Sequence, residues 1–146
     1  RLRCDWSSDV CSSDLGGSAF ADATIAAWKD AAGNTVHELW GMSEAAPLSG
    51  NPSDRPNKIG SVGLPCLMTE VEAVEPETGE KVMPVGEAGE LRIRGPQMIT
   101  AYWNRPEETA TAIRDGWLYT GDIGFLDEVG RITIVDRKKD MVNVGD

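Results

Sequence analysis

Asp115-Gly116-Trp117-Leu118-Tyr119-Thr120-Gly121-Asp122, with Asp136-Arg137-Lys138-Lys139-Asp140 beginning fourteen residues after Asp122, constrains this chain more than any other stretch. Between the two lie β-prone runs, Ile123 to Leu126 and Arg131 to Val135, separated by the turn-like Asp127-Glu128-Val129-Gly130. Strand, turn and strand are predicted. An acid after Thr-Gly at one strand edge and an Asp-Arg at the next strand's exit place a carboxylate and a guanidinium on one rim. A carboxylate offers acceptor oxygens that both hydroxyls of a vicinal diol can satisfy, as in ribose recognition. An arginine fork beside it serves sugar oxygens or phosphate. Neither half is specific alone; the ordered pair is.

The chain has 146 residues, enough for one domain or a large piece of one. No apolar run approaches membrane-spanning length, so no integral membrane segment is expected. The net charge of -10 repels phosphate-covered surfaces, which argues against nucleic acid and anionic membranes as partners.

Residues 1–15 repeat a Ser-Ser-Asp unit and carry neither a strand nor a helix period. Asp5 to Leu15 is similar to the in-frame translation of a short-read sequencing adapter. Residues 1–15 are therefore expected to be a sequencing artefact outside the fold. Cys4 and Cys11 fall within that segment, which leaves Cys66 as the only body cysteine. It sits beside Pro65 with no conspicuous activating cation, the setting of a structural thiol rather than a nucleophile. With neither a disulfide framework nor a secretion signal, a cytoplasmic location is expected.

Phe20 to Ala32 is alanine-rich with helical spacing, and Gly33-Asn34 supplies a stop. Thr35 to Trp40 reads as a strand, with His37 packed or half-exposed within it. Gly41 to Pro65 reads as a long loop, because Pro47, Gly50, Pro52, Pro56, Gly60, Gly63 and Pro65 interrupt any long element. Glu70 to Val74 and Glu90 to Arg94 read as antiparallel strands, with a turn at Pro76-Glu77-Thr78-Gly79. A short helix is predicted from Pro106, with acids at its positive end. Trp117 to Tyr119, Ile123 to Leu126 and Arg131 to Asp136 are three further strands, and Trp103 and Trp117 are expected in the core. The fold class is α/β, starting with a helix and strand and passing into a small β-rich subdomain.

Leu39-Trp40-Gly41-Met42-Ser43-Glu44 follows the first strand. Trp40 offers a ring to stack a base, Ser43 a hydroxyl for a phosphate oxygen, and Glu44 a hard oxygen ligand for Mg²⁺. Alone this set is also what a solvated turn contains. Together with Gly89-Glu90-Leu91, Arg94-Gly95, Gly121-Asp122 and Asp136-Arg137, in that order, the sequence resembles the adenylate-forming superfamily. That superfamily includes acyl-CoA synthetases, luciferases and the adenylation domains of peptide synthetases. Gly95-Pro96-Gln97-Met98, Tyr102 to Thr109 and Val135 to Asp140 are most similar to fatty acyl-CoA ligases.

The resemblance implies an incomplete large AMP-binding domain over residues 16–136, with the interdomain hinge and the start of a carboxyl-terminal domain over 137–146. It implies that Gly17 and Ser18 line the adenine, that Trp40 and Gly41 bound the adenine site, and that the Ser43 hydroxyl faces the α-phosphate. Glu44 is implied as the Mg²⁺-associated glutamate, Asp122 as the ribose acid, Arg137 as the arginine near ribose and phosphate, and Lys139 as the hinge. Ser43 and Glu44 are the catalytic candidates. ATP, Mg²⁺ and CoA are the implied cofactor and cosubstrates, and a small carboxylic acid is the implied substrate. The family's phosphate-gripping loop and the lysine of its small domain match no residues here, so the polypeptide alone is expected to lack ligase activity. Two rival readings are a peptide-synthetase adenylation domain, which Trp40 and Asp136 to Asp140 disfavour, and a non-catalytic acidic β-rich binding module.

Overall fold

Helix-forming alanines occupy one short segment of the chain, and β-prone alternation most of the rest, which divides the protein into a mixed first part and an all-antiparallel second part. A computed structural model describes residues 13–15, 22–33, 36–52 and 58–140. Helix α1 (Asp22–Ala32) buries only Ile25 among the side chains described and ends where the Gly33 amide donates to the Lys29 carbonyl. Phe20 and Ala21, included in the expected helix, lie outside the described residues.

The first sheet contains β1 (Ser13–Leu15), β2 (Val36–Met42), β3 (Ala45–Gly50) and β4 (Leu64–Pro65), in that order across the sheet. β1 runs parallel to β2, with Ser13 opposite Val36. β1 covers the last three residues of the segment expected to be an artefact, and residues 1–12 lie outside the described residues. The unpaired edge of β2 offers backbone donors and acceptors that an extended segment of any side-chain composition can meet. The long loop expected over Gly41 to Pro65 is corrected, since β2 continues to Met42 and both β3 and β4 lie within it. β3 pairs antiparallel with β2 through Leu39 opposite Gly50, Trp40 opposite Ser49 and Met42 opposite Ala45. Burial of Ala45, Leu48 and Ser49 stabilises the pairing beyond what the local Pro and Gly content suggests.

The second sheet contains β5 (Glu70–Val74), β6 (Gly89–Arg94), β7 (Ile113–Arg114), β8 (Trp117–Leu126) and β9 (Ile132–Arg137). β8 is one strand of ten residues where two shorter ones were expected. β6 pairs along one edge, while β7 takes the start and β9 the end of the other. Helix α2 (Pro106–Ala112) begins on its proline with Glu107 and Glu108 in the first turn, and Lys138–Asp140 form a 3₁₀ turn directly after β9. Among the described residues no helix is long and apolar enough to cross a membrane.

One core joins the sheets. Trp40, Ala45 and Leu48 of the first sheet pack with Ala73, Leu91, Ile93, Leu118 and Ile132 of the second. Backbone bonds reinforce it, because the Val62 amide donates to the Ile132 carbonyl and the Ile132 amide to the Gly63 carbonyl, at 3.0 and 2.9 Å. Trp117 is buried as expected. Trp103 is not: it is 90% exposed in the turn before α2, where it has no facing layer to pack against.

Candidate functional site

The Thr-Gly-Asp triplet of β8 has a structural cause. Arg92 of β6 faces Tyr119 and Glu90 faces Ile123, so Thr120, Gly121 and Asp122 together stand opposite Leu91. This is an enlarged β-bulge, which re-aims the residues inside it. The Thr120 hydroxyl donates to the Leu91 carbonyl at 2.8 Å and accepts from the Asp122 amide at 3.1 Å, replacing lost ladder bonds. Gly121 takes φ of 72°, a left-handed conformation that glycine adopts without a Cβ clash. The bulge turns Asp122 inward, to 3% exposure.

Both oxygens of Asp122 are engaged. The Trp40 indole N–H donates to Oδ2 at 2.9 Å, and Arg137 Nε meets Oδ1 at 2.7 Å from the register position directly across on β9. The expected rim of carboxylate and guanidinium is therefore present, and Trp40 extends it. Trp40 is itself 6% exposed, so its ring is packed in the core with its N–H committed to the acid. Burial pushes the Asp122 carboxyl above the usual range, while the Trp40 bond and the Arg137 charge pull it back.

Ser43 and Glu44 form the two-residue turn between β2 and β3. Ser43 is exposed, as is Gly41. Glu44 is half-buried and accepts a hydrogen bond on Oε1 from the Tyr102 hydroxyl at 2.9 Å. Among the described residues there is no cluster of three metal-ligating side chains. A single carboxylate at a polar turn suits Mg²⁺, which keeps several waters and shares its coordination with substrate phosphates. Lys139 lies in the exposed 3₁₀ turn that follows Arg137. Gly17 and Ser18 lie outside the described residues.

An open cleft of about 850 Å³ is lined in part by Glu90, Tyr102, Arg105, Thr120, Gly121 and Lys138. A smaller one of about 420 Å³ adjoins it at Thr120 and Gly121 and reaches Arg137 and Lys139. The bulge therefore shapes both clefts from its outer side and holds Asp122 on its inner side.

Sequence reasoning missed three members of this arrangement: Thr120 as the bulge plug, Tyr102, and the pairing of Lys138 with Glu90. The last had a legible signal, since Glu90 occupies a strand position whose neighbours are buried. Its side chain is 5% exposed and meets Lys138 Nζ at 2.7 Å, so Lys138 is no ordinary solvated lysine. Lys138→Met is expected to leave that carboxylate buried without its cation, at a cost of about 1–3 kcal/mol. Urea unfolding measures it, and a variant as stable as the wild type would show the pair to be neutral.

A family model for AMP-binding enzymes matches residues 6–103. The chain belongs to the AMP-binding enzyme family. The chain is 46% identical over 130 residues to the long-chain-fatty-acid–CoA ligase of Salmonella typhimurium, covering 88% of its own length and 23% of the relative's. It is 44% identical over 108 residues to the feruloyl-CoA synthase of an Amycolatopsis species, covering 73% of the chain and 22% of that protein. The crystal structure of ATP-bound MatB from Rhodopseudomonas palustris superposes with a TM-score of 0.83 at 35% identity, over 88% of this chain and 26% of that one. The chain thus has the AMP-binding enzyme fold in part, and spans about a quarter of the length of the proteins it matches.

Proposed function

We propose that this chain is part of an ATP-dependent, AMP-forming fatty acid–CoA ligase. The observation that carries the reading is the buried Asp122, held between Trp40 and Arg137 beside the bulge. A carboxylate so placed has lone pairs left for a ribose diol once the half-exposed Arg137 swings from Oδ1. Arg137 then faces ribose and phosphate, Gly41 bounds the adenine side while the core-packed Trp40 holds Asp122, and Ser43 offers its hydroxyl to the α-phosphate.

The reaction has two steps. A fatty carboxylate oxygen attacks the α-phosphorus of ATP, forming an acyl-phosphate anhydride bond and expelling pyrophosphate. The CoA thiol then attacks the acyl carbonyl, forming a thioester and releasing AMP, and its proton leaves to solvent. The first step brings two anions together, so orientation and charge screening carry much of the catalysis. Mg²⁺ held by Glu44 and the phosphates would supply part of that screening. Lys139 serves as the pivot between the two half-reactions. A cytoplasmic location fits the supply of ATP and CoA.

The long-chain ligase relatives favour a fatty acid, and the feruloyl-CoA synthase relative favours an aromatic acid as the second reading. The test uses the protein encoded by the complete reading frame, with ATP, CoA and either palmitate or ferulate. Palmitoyl-CoA with stoichiometric AMP is the expected product, and the 146-residue chain alone should make neither. Feruloyl-CoA as the sole thioester would move the reading to the aromatic acid. No thioester from either acid would overturn it.

A further inference from the structure

The turn that presents Glu44 lacks the local chemistry to hold itself. Two-residue hairpin turns favour glycine or asparagine, because their tight types need φ above zero at one or both positions. Ser43 and Glu44 are neither, and neither has positive φ. The strands are also out of simple register here, with an irregularity between Trp40 and Met42. Something outside the hairpin must fix it.

That support comes from the segment between β6 and α2. Met98 bridges Ala45, and the Ile99 amide donates to the Glu44 carbonyl at 2.8 Å. Gln97 Nε2 reaches the Pro47 carbonyl at 3.1 Å and the Thr69 hydroxyl at 2.7 Å. Three residues beyond Ile99, the Tyr102 hydroxyl donates to Glu44 Oε1. Tyr102 is anchored in turn, because its amide donates to Thr109 Oγ1 at 3.0 Å and its carbonyl accepts from the Arg105 amide at 3.2 Å. The Tyr102 bond is the only one of these that acts on the Glu44 carboxylate itself.

We propose that Tyr102 is a positioning residue, which fixes the Glu44 carboxylate so that Oε2 faces the metal–phosphate position. This deepens the reading of Glu44 as the Mg²⁺ carboxylate and rests on it. The hydroxyl occupies Oε1 and limits rotation of the carboxylate, leaving one oxygen for an ion that takes only one or two protein carboxylates. Without that bond the side chain samples other rotamers, and metal binding must pay the ordering cost.

Tyr102→Phe in the full chain removes only the hydroxyl. Two measurements separate the proposal from the reading beneath it. Amide hydrogen exchange at Ser43 to Ala45 is expected to quicken about five- to tenfold, with β5 and β6 unchanged. Titration with Mn²⁺–ATP, followed by paramagnetic broadening of Glu44, should half-saturate at roughly fivefold higher concentration in the variant. Metal-free ATP, followed at Asp122, should titrate alike in both proteins, a split that general loosening would not produce. Equal Mn²⁺–ATP titrations in the two proteins would overturn the proposal, as would unchanged exchange at the turn. If exchange quickens but Glu44 broadens in neither protein, the metal reading fails and takes the proposal with it. Trp103→Ala, at the exposed neighbour, should change none of these.

Discussion

Asp122→Ala is expected to weaken AMP binding to the complete enzyme roughly 10- to 100-fold, the value of one or two hydrogen bonds to a charged acceptor. The same substitution should also cost about 1–3 kcal/mol of stability, because the buried Trp40 indole N–H loses its acceptor. Asp122→Asn separates the two effects. The amide oxygen can still accept from Trp40, while the charge that burial penalises is gone. Stability at neutral pH should therefore equal or exceed that of the wild type, even as AMP binding falls.

The pH dependence carries a definite sign. Burial dominates the balance at Asp122, so its folded-state pKa lies above the unfolded one. A raised carboxyl favours folding when protonated, and that contribution is lost as pH rises through the folded value. Wild type minus Asp122→Asn should thus show stability falling with rising pH just above the ordinary aspartate range. A flat difference would show that Trp40 and Arg137 fully offset burial. Equal destabilisation by Ala and Asn would show that the Trp40 acceptor is not what holds the site, and unchanged AMP affinity in Asp122→Ala would end the ribose assignment.

Gly63→Ala should be the most damaging single substitution, roughly 4 kcal/mol or more. Two penalties coincide there. Its φ of 88° is left-handed, and an added Cβ would overlap the Gly50 carbonyl and the Asn51 amide. No flexible side chain can yield, since the obstruction is backbone. The site also joins the sheets, because the Gly63 carbonyl accepts from the Ile132 amide. Gly60 supplies the comparison, having φ of 79° but no atom within 4 Å of an added Cβ. Gly60→Ala should cost only the conformational penalty of about 1–2 kcal/mol. Chemical unfolding of both variants checks this. Similar losses would mean that the close approach at Gly63 relaxes cheaply.

Legibility in the sequence followed the range of the forces involved. Glu70 to Val74, Glu90 to Arg94 and the helix at Pro106 were readable because alternation, turn residues and proline act within a few positions. β3 was not, since its Pro and Gly content suggests a loop and only pairing with β2 makes it a strand. Trp103 was misplaced for the converse reason: an aromatic among β-prone segments suggests core, but no layer covers it. The Glu44–Tyr102 bond spans 58 positions and carries no local pattern.

By itself the sequence determined that an acid and an arginine meet on one rim, because a hairpin of fixed polarity must bring Asp122 and Arg137 together. Tertiary structure decided how that acid is held. A bulge turns Asp122 inward, and Trp40, 82 positions away, supplies the donor that keeps it there. No periodicity encodes that contact; it exists because one core packs the first sheet against the second, and a buried carboxylate must find its partners inside it.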